Sequence, residues 1–341
     1  MSVRSNNTES MTVNESSVFD DIITPTVLED KILQSLPTKQ GWLEKKTTGL
    51  VRRWIRRYFV LEKQEIKYYY TNSLEKFGGV INFNIVTIDV QITNKTFKLI
   101  ALGGKRAFKL RASSEQEALD WVYSISIHIN SSNGRKTVLT IAGKTNFWKF
   151  PRISENEFKK MTCTGDLLLF RGRDMVSKFQ RFVTKSEYDH VAMILKYSSG
   201  KIALFEATGA DGVSIVYWDD FIFYQWEKLY SRLMYRKLCF ERSEYALKEL
   251  EEFIFAVQGK QYRISAGKLM SNKRDSDPKN KKGFFCSELI AMAYKMIGVL
   301  PDDPPASKYW PGDFASGKNL KLSNGAYLHS EILIDFDIKE L

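Results

Sequence analysis

Cysteine and histidine are scarce in this chain of 341 residues, and there are only three histidines. The cysteines, Cys163, Cys239 and Cys286, are odd in number and far apart, without the paired spacing of a zinc site or the even set of a disulfide framework. A reducing, intracellular compartment fits that usage. No apolar run approaches the length of a membrane span, and the chain start lacks the basic residues and hydrophobic core of a secretion signal. The expectation is a cytoplasmic protein, soluble or peripherally attached to membranes. Walker loops, dinucleotide fingerprints and metal-ligand clusters are also missing, so neither a cofactor nor a metal is expected.

What is present allows two domains of ordinary size, since 43% of the residues are hydrophobic. The net charge of +11 is unevenly spread: residues 1–40 carry −3, whereas residues 41–130 carry +7. Such a balance suits anionic membrane surfaces or nucleic acid. No RNA-recognition signature accompanies it, which ranks nucleic acid low.

Residues 1–38 are rich in Ser, Asn, Thr and acidic groups, so a mostly disordered segment is expected, with a short helix near Val27–Leu36. From Gly41 the pattern turns to strands, near Gly41–Lys46, Trp54–Glu62, Ile66–Tyr70, Val80–Phe83, Asp89–Thr93, Thr96–Ala101 and Ala107–Arg111. A helix follows at Ser114–Ile129. Ser114 and Glu117 make a capping-box pattern, and Ala118, Trp121, Val122 and Ile125 fall on one stripe, with Trp121 assigned to the core. Residues 131–159 read as a linker whose Phe147-Trp148-Lys149-Phe150 cluster either packs one domain on the other or forms a membrane-inserting tip.

The residues GWLEKKTTGLVRRWIRRYFVL, IKYYY and EALDWVYSI resemble a pleckstrin-homology (PH) domain over residues 39–130. The resemblance implies an antiparallel β-barrel capped by its C-terminal helix, and phosphoinositide binding through Lys45, Arg53 and Arg57, with a hydroxyl from Tyr68. Ile55 stands where many strong binders carry another cation. Strand alternation puts Arg53 and Arg57 on one face if both are extended, and guanidinium groups suit bidentate phosphate contacts.

Downstream, Gly283–Ala293 reads GFFCSELIAMA and places Cys286 where a loop gives way to an apolar-striped helix. A thiol there meets the positive end of the helix dipole, which favours the thiolate. Two apolar strands upstream, DHVAMIL and LFEATG, carry His190 and Glu206. If Ser198-Ser199-Gly200 is a three-residue loop with a left-handed Gly200, paired residue numbers sum to 398, which sets His190 and Glu206 on one face. A two-residue loop sets them on opposite faces. In the first case the glutamate orients the imidazole, and the imidazole takes the thiol proton.

The order His, Glu, Cys in DHVAMIL, LFEATG and FFCSELIAMAY resembles the circularly permuted papain-like hydrolases of NlpC type, in particular the YiiX/YaeF-like group. TGDLLLF at Thr164–Phe170, the Gly259–Tyr262 turn and Trp310–Phe314 extend the resemblance over roughly residues 160–320. It implies an α+β domain, taken as residues 160–341, with Cys286 as nucleophile, His190 as base and Glu206 as orienter. Tyr262 is a candidate contact to substrate or oxyanion, and Asp166 is assigned a structural role. The hydrophilic stretch 271–283 reads as a solvated loop or a mobile lid.

The expectation is therefore a multidomain protein, a PH-type barrel followed by a permuted papain-like domain. Its expected function is that of a membrane-recruited thiol hydrolase acting on a peptide, amide or lipid-ester bond and binding phosphoinositides. A non-catalytic membrane adaptor with a papain-like binding module is the alternative.

Overall fold

The computed structural model describes residues 35–48, 51–141, 146–174, 177, 181, 186–263, 277–318 and 320–340. The expectations for residues 1–34, including most of the Val27–Leu36 helix, and for 271–276 of the hydrophilic stretch lie outside the described residues. Two compact units are present. One contains the described residues up to 158 together with 332–340, and the other contains Lys159–Glu331.

The first unit begins with seven antiparallel strands: β1 (Lys39–Lys46), β2 (Trp54–Glu62), β3 (Glu65–Tyr69), β4 (Phe77–Asn82), β5 (Ile88–Thr93), β6 (Thr96–Ala101) and β7 (Phe108–Arg111). Their order is β4-β3-β2-β1-β7-β6-β5, with β1 joining the two halves through pairs such as Lys45 with Leu110. Alternate residues, including Phe59, Leu61, Phe97, Leu99 and Leu110, turn inward to form the core. The helix α1 (Glu115–Ser131) closes this core with Ala118, Trp121, Ile125 and Ile129. Ser114 caps it by accepting the Glu117 N–H at 3.1 Å, while the Glu117 carboxylate reaches back to the Ser113 N–H at 2.9 Å, one residue earlier than a capping box requires. His128, also on α1, is buried. Its Nδ1 accepts the Gln64 N–H and its Nε2 donates to the Pro37 carbonyl; burial lowers its pKa, opposed in part by the Pro37 bond.

After α1 come α2 (Asn133–Thr137), β8 (Leu139–Ile141), β9 (Arg152–Ile153) and α3 (Glu155–Met161). Between β8 and β9, Phe147 and Trp148 are buried in the core of this same unit, at 2% and 3% exposure. They are therefore not an exposed membrane tip.

The second unit is built on β10 (Leu167–Gly172), β11 (His190–Lys196), β12 (Ile202–Thr208), β13 (Gly212–Tyr217) and β14 (Tyr230–Arg236), antiparallel in the order β13-β12-β11-β10-β14. The helix α4 (Trp218–Phe223) joins β13 to β14, and β14 leads to β15 (Leu238–Cys239) and α5 (Glu244–Val257). The short parallel pair β16 (Gln261–Tyr262) and β17 (Gly283–Phe284) then delivers the chain to α6 (Cys286–Met296), which packs on β11, β12 and α5. The unit ends with β18 (Tyr327–Leu328), paired with β15. The last strands, β19 (Ile332–Ile334) and β20 (Ile338–Glu340), belong to the first unit, where they pair with β9 and β8.

One buried carboxylate organises the second unit's core. Asp166 accepts from the N–H groups of Cys163 (2.8 Å) and Leu238 (2.9 Å), the Tyr235 hydroxyl (2.6 Å) and Arg242 (3.3 Å). Such convergence matches the structural role expected of it.

Candidate functional site: a thiol, an imidazole and a carboxylate

The β11–β12 hairpin follows the three-residue turn. Tyr197 N–H donates to the Lys201 carbonyl at 2.9 Å, Gly200 has φ +81°, and pairs such as Met193 with Phe205 sum to 398. A side chain other than glycine is disfavoured at that φ. This register puts His190 and Glu206 on one face, where His190 Nε2 lies 2.6 Å from Glu206 Oε2. Cys286 lies close enough to the same imidazole to act on its charge and raise its pKa. With Nε2 engaged by Glu206, Nδ1 is the nitrogen left for the sulfur.

Burial disfavours a charged His190. The bonds and negative charge of Cys286 and Glu206 outweigh it and raise the pKa to about 10, so the imidazole carries a proton at neutral pH. Asp189, the residue before His190, anchors the strand end by accepting the Gly172 N–H at 3.0 Å and pairing with Arg181.

Cys286 is 2% exposed and opens α6. Phe285 precedes it as N-cap and has no polar side chain to offer, so Glu288 turns back to the Phe285 N–H at 3.4 Å. Lys281 meets the same carboxylate at 3.1 Å in a buried ion pair. Lys260 donates to the carbonyls of Pro278, Lys279 and Lys281, all within 2.8 Å. The described part of the hydrophilic stretch, 277–283, is thus held to the helix start by defined bonds and is not the free solvated loop that its composition suggests.

Pairing of Tyr262 with Phe284 brings the tyrosine beside the strand that runs into Cys286. Burial, then the charge of Cys286, pushes the Tyr262 phenol well up, so it keeps its proton. Aromatic rings form the other wall: Phe170 lies 5.0 Å from the His190 ring and 4.8 Å from Tyr230. Tyr230 is also held protonated, by burial and then by Glu206, Asp189, Asp174 and Cys286. Its relevance is not legible from sequence, because it sits in an aromatic run, 217–230, that carries no motif. Ser214, paired across from Glu206, has a buried hydroxyl with no hydrogen-bond partner among the described residues.

In the first unit, Lys45 and Arg57 lie diagonally across β1 and β2 on one face with Tyr68. Lys45 is 7% exposed, with Nζ at 5.2 Å from the Tyr68 ring, 5.4 Å from Phe108 and 5.6 Å from Trp148. Burial, then the nearby Arg57, lowers its pKa to about 8. Burial raises the Tyr68 hydroxyl to about 12. Arg57 and Lys76 both lie over the Tyr70 ring, at 4.3 and 5.0 Å. Lys76 was not singled out by sequence, since it lies in the β3–β4 connection away from the motif. Arg53 stands apart: it precedes β2 rather than sharing its extended geometry, its side chain is exposed, and its backbone closes the β1–β2 loop against Thr47.

Residues 37–130 match the PH domain family model. These residues form a PH domain. Human Rho GTPase-activating protein 25 is similar to the chain, 32% identical over 124 residues that make up 33% of this chain and 18% of that protein. A PH domain-containing protein of Dictyostelium discoideum is 26% identical over 137 residues, 38% of this chain and 30% of that protein. The chain thus spans less than a third of the length of these curated relatives. Among solved structures, the PH domain of human KIAA0053 protein is 31% identical, covering 29% of this chain and 92% of its own, with a TM-score of 0.25. The C-terminal PH domain of pleckstrin in complex with D-myo-Ins(1,2,3,5,6)P5 is 23% identical, covering 27% of this chain and 93% of its own, with a TM-score of 0.24. No helix among the described residues is long and apolar enough to cross a membrane. In the PH domain, then, Lys45, Arg57 and Tyr68 share one face of the sheet, while Arg53 remains outside the cluster.

Proposed function

We propose that the chain is a thiol hydrolase of permuted papain-like type, recruited to membranes by its PH domain. The observation that carries this reading is that one imidazole is hydrogen-bonded to the Glu206 carboxylate and interacts with a cysteine at a helix start. In the proposed reaction the Cys286 sulfur attacks the carbonyl carbon of an amide or ester, forming a carbon–sulfur bond as the carbonyl π electrons move to oxygen. The backbone N–H of Cys286, unsatisfied at the helix start, faces that oxyanion, with the protonated Tyr262 phenol as a second donor. His190 then gives its proton to the departing amine or alcohol and leaves a thioester. A water molecule, deprotonated by His190, cleaves the thioester and restores the thiol site. Glu206 holds the ring and stabilises its charge throughout.

The PH domain's part is to bind phosphoinositide headgroups through Lys45, Arg57 and Tyr68, with Arg53 at the loop as a peripheral cation. Membrane attachment favours acyl groups carried on lipids as substrates. A thiol-directed activity probe tests the hydrolase reading. Label is expected on Cys286 in the native protein, lost in Cys286→Ala and strongly reduced in His190→Ala. Equal labelling of the native protein and Cys286→Ala contradicts it.

A further inference from the structure

Lys45 is a buried ammonium, and among the described residues no carboxylate pairs with it. Three rings surround it, two from the barrel wall and one, Trp148, from the segment after β8. Cation–π contact offsets part of the desolvation of such a charge but supplies no counter-ion. A buried cation of this kind fits a polyanion, yet the place a phosphate would take is occupied by the protein's own indole.

The occupying segment is seated by specific features. The Trp148 carbonyl accepts the Val80 N–H at 3.0 Å. Gly79 makes that approach possible, since a Cβ there would lie 2.4 Å from the same carbonyl oxygen. Arg152 holds the preceding residues by donating to the Phe147 carbonyl at 2.8 Å, and is itself paired with Asp335. The seat is also imperfect. The Asn146 side-chain oxygen is buried with no hydrogen-bond partner among the described residues, an unfavourable placement for a polar atom. Docking therefore leaves the Asn146 oxygen without a partner and the Lys45 ammonium buried against rings with no carboxylate beside it, and departure of the segment relieves both.

We propose that residues 146–150 are an intramolecular stopper of the PH domain, and that Trp148 and a phosphorylated inositol compete for Lys45. The proposal rests on the reading of Lys45, Arg57 and Tyr68 as the headgroup site. In the closed state the indole covers the ammonium. In the open state the ammonium, Arg57 and Lys76 face a common anion at the barrel mouth. The ligand chemistry, several phosphates on one ring, is shared by a membrane headgroup and by a free inositol phosphate.

The test uses the full chain as wild type, Trp148→Ala, and Arg152→Gln, which loosens the segment without removing a ring. Binding is measured by calorimetry with inositol hexakisphosphate, and by co-sedimentation with phosphatidylcholine vesicles with and without phosphatidylinositol bisphosphate. Both variants are expected to bind the soluble ligand about tenfold more tightly, the scale of one released cation–π contact, and Lys45→Met is expected to abolish the gain. A gain that extends to the vesicles identifies a membrane ligand, and a gain confined to the soluble compound identifies a free one. Lys45 should also react faster with an amine acylating reagent in both variants. Unchanged acylation of Lys45, or equal Lys45-dependent affinity in all three proteins, overturns the stopper and leaves the headgroup site standing. Absence of binding in every protein removes the headgroup site and the stopper together.

Discussion

His190 Nε2 and Glu206 Oε2 lie 2.6 Å apart although 16 residues of hairpin separate them. The pair exists because one glycine turns the chain in three residues and so fixes the parity of both strands. A charge-assisted hydrogen bond of this kind contributes about 1.5–3 kcal/mol, enough to hold one ring orientation. Glu206→Gln should therefore slow labelling of Cys286 by a thiol-directed probe by about tenfold to a hundredfold, with the fold kept and the melting temperature lowered by a few degrees. Unaltered labelling would show that the carboxylate does not act through the histidine.

The raised pKa of His190 has a definite sign in stability. The folded protein holds this proton to about pH 10, whereas an unfolded histidine releases it near 6.5. Its contribution is fully present below about pH 6.5 and is lost as pH rises through about 10. Urea midpoints followed across that window should fall more for the wild type than for His190→Gln. Parallel pH profiles would contradict the raised pKa of the imidazole.

Lys281 and Glu288 form an ion pair whose side chains are 9% and 1% exposed. Removing one partner takes this counter-charge from the other in a buried place. Lys281→Met should cost about 3–5 kcal/mol in denaturant unfolding, while the double replacement Lys281→Met with Glu288→Met should cost less than the single one. A double variant as unstable as the sum of its parts would show that the two charges do not depend on each other.

Asp166 ties four donors from separate segments into one knot. Asp166→Ala leaves buried N–H and hydroxyl groups unpaired and should destabilise the second unit by about 3 kcal/mol or more. The folded fraction should still react at Cys286 as the wild type does, because among the described residues no bond from Asp166 reaches the thiol, imidazole or Glu206. A Cys286 rate that drops in the folded fraction would give Asp166 more than a structural role.

Much of the PH domain was legible because its signals are local. Alternation marked its strands, Ser114 and Glu117 marked the helix start, and the stripe through Trp121 marked its buried face. The His190–Glu206 pairing was legible for the same reason, since register follows from turn length. Contacts set by long-range packing were not. Nothing near Phe147 or Trp148 says that they turn into the barrel over Lys45, and Arg152 finds Asp335 183 residues away. The charged run before Cys286 misled in another way. Composition reports solvation on average, but Lys281 is individually buried by its pairing with Glu288.

The most direct measurement is the alkylation rate of each cysteine in the native protein near neutral pH, resolved by mass spectrometry. Cys163 is half-buried, with its thiol pushed up first by burial and then by Asp166, and Cys239 is equally half-buried. Accessibility alone would make both react faster than Cys286, which is buried. A nucleophile activated by His190 reverses that order: Cys286 should react fastest, and His190→Ala should remove its advantage. If Cys286 instead reacts no faster than the other two, or keeps its rate in His190→Ala, the thiol, imidazole and carboxylate are not a catalytic unit.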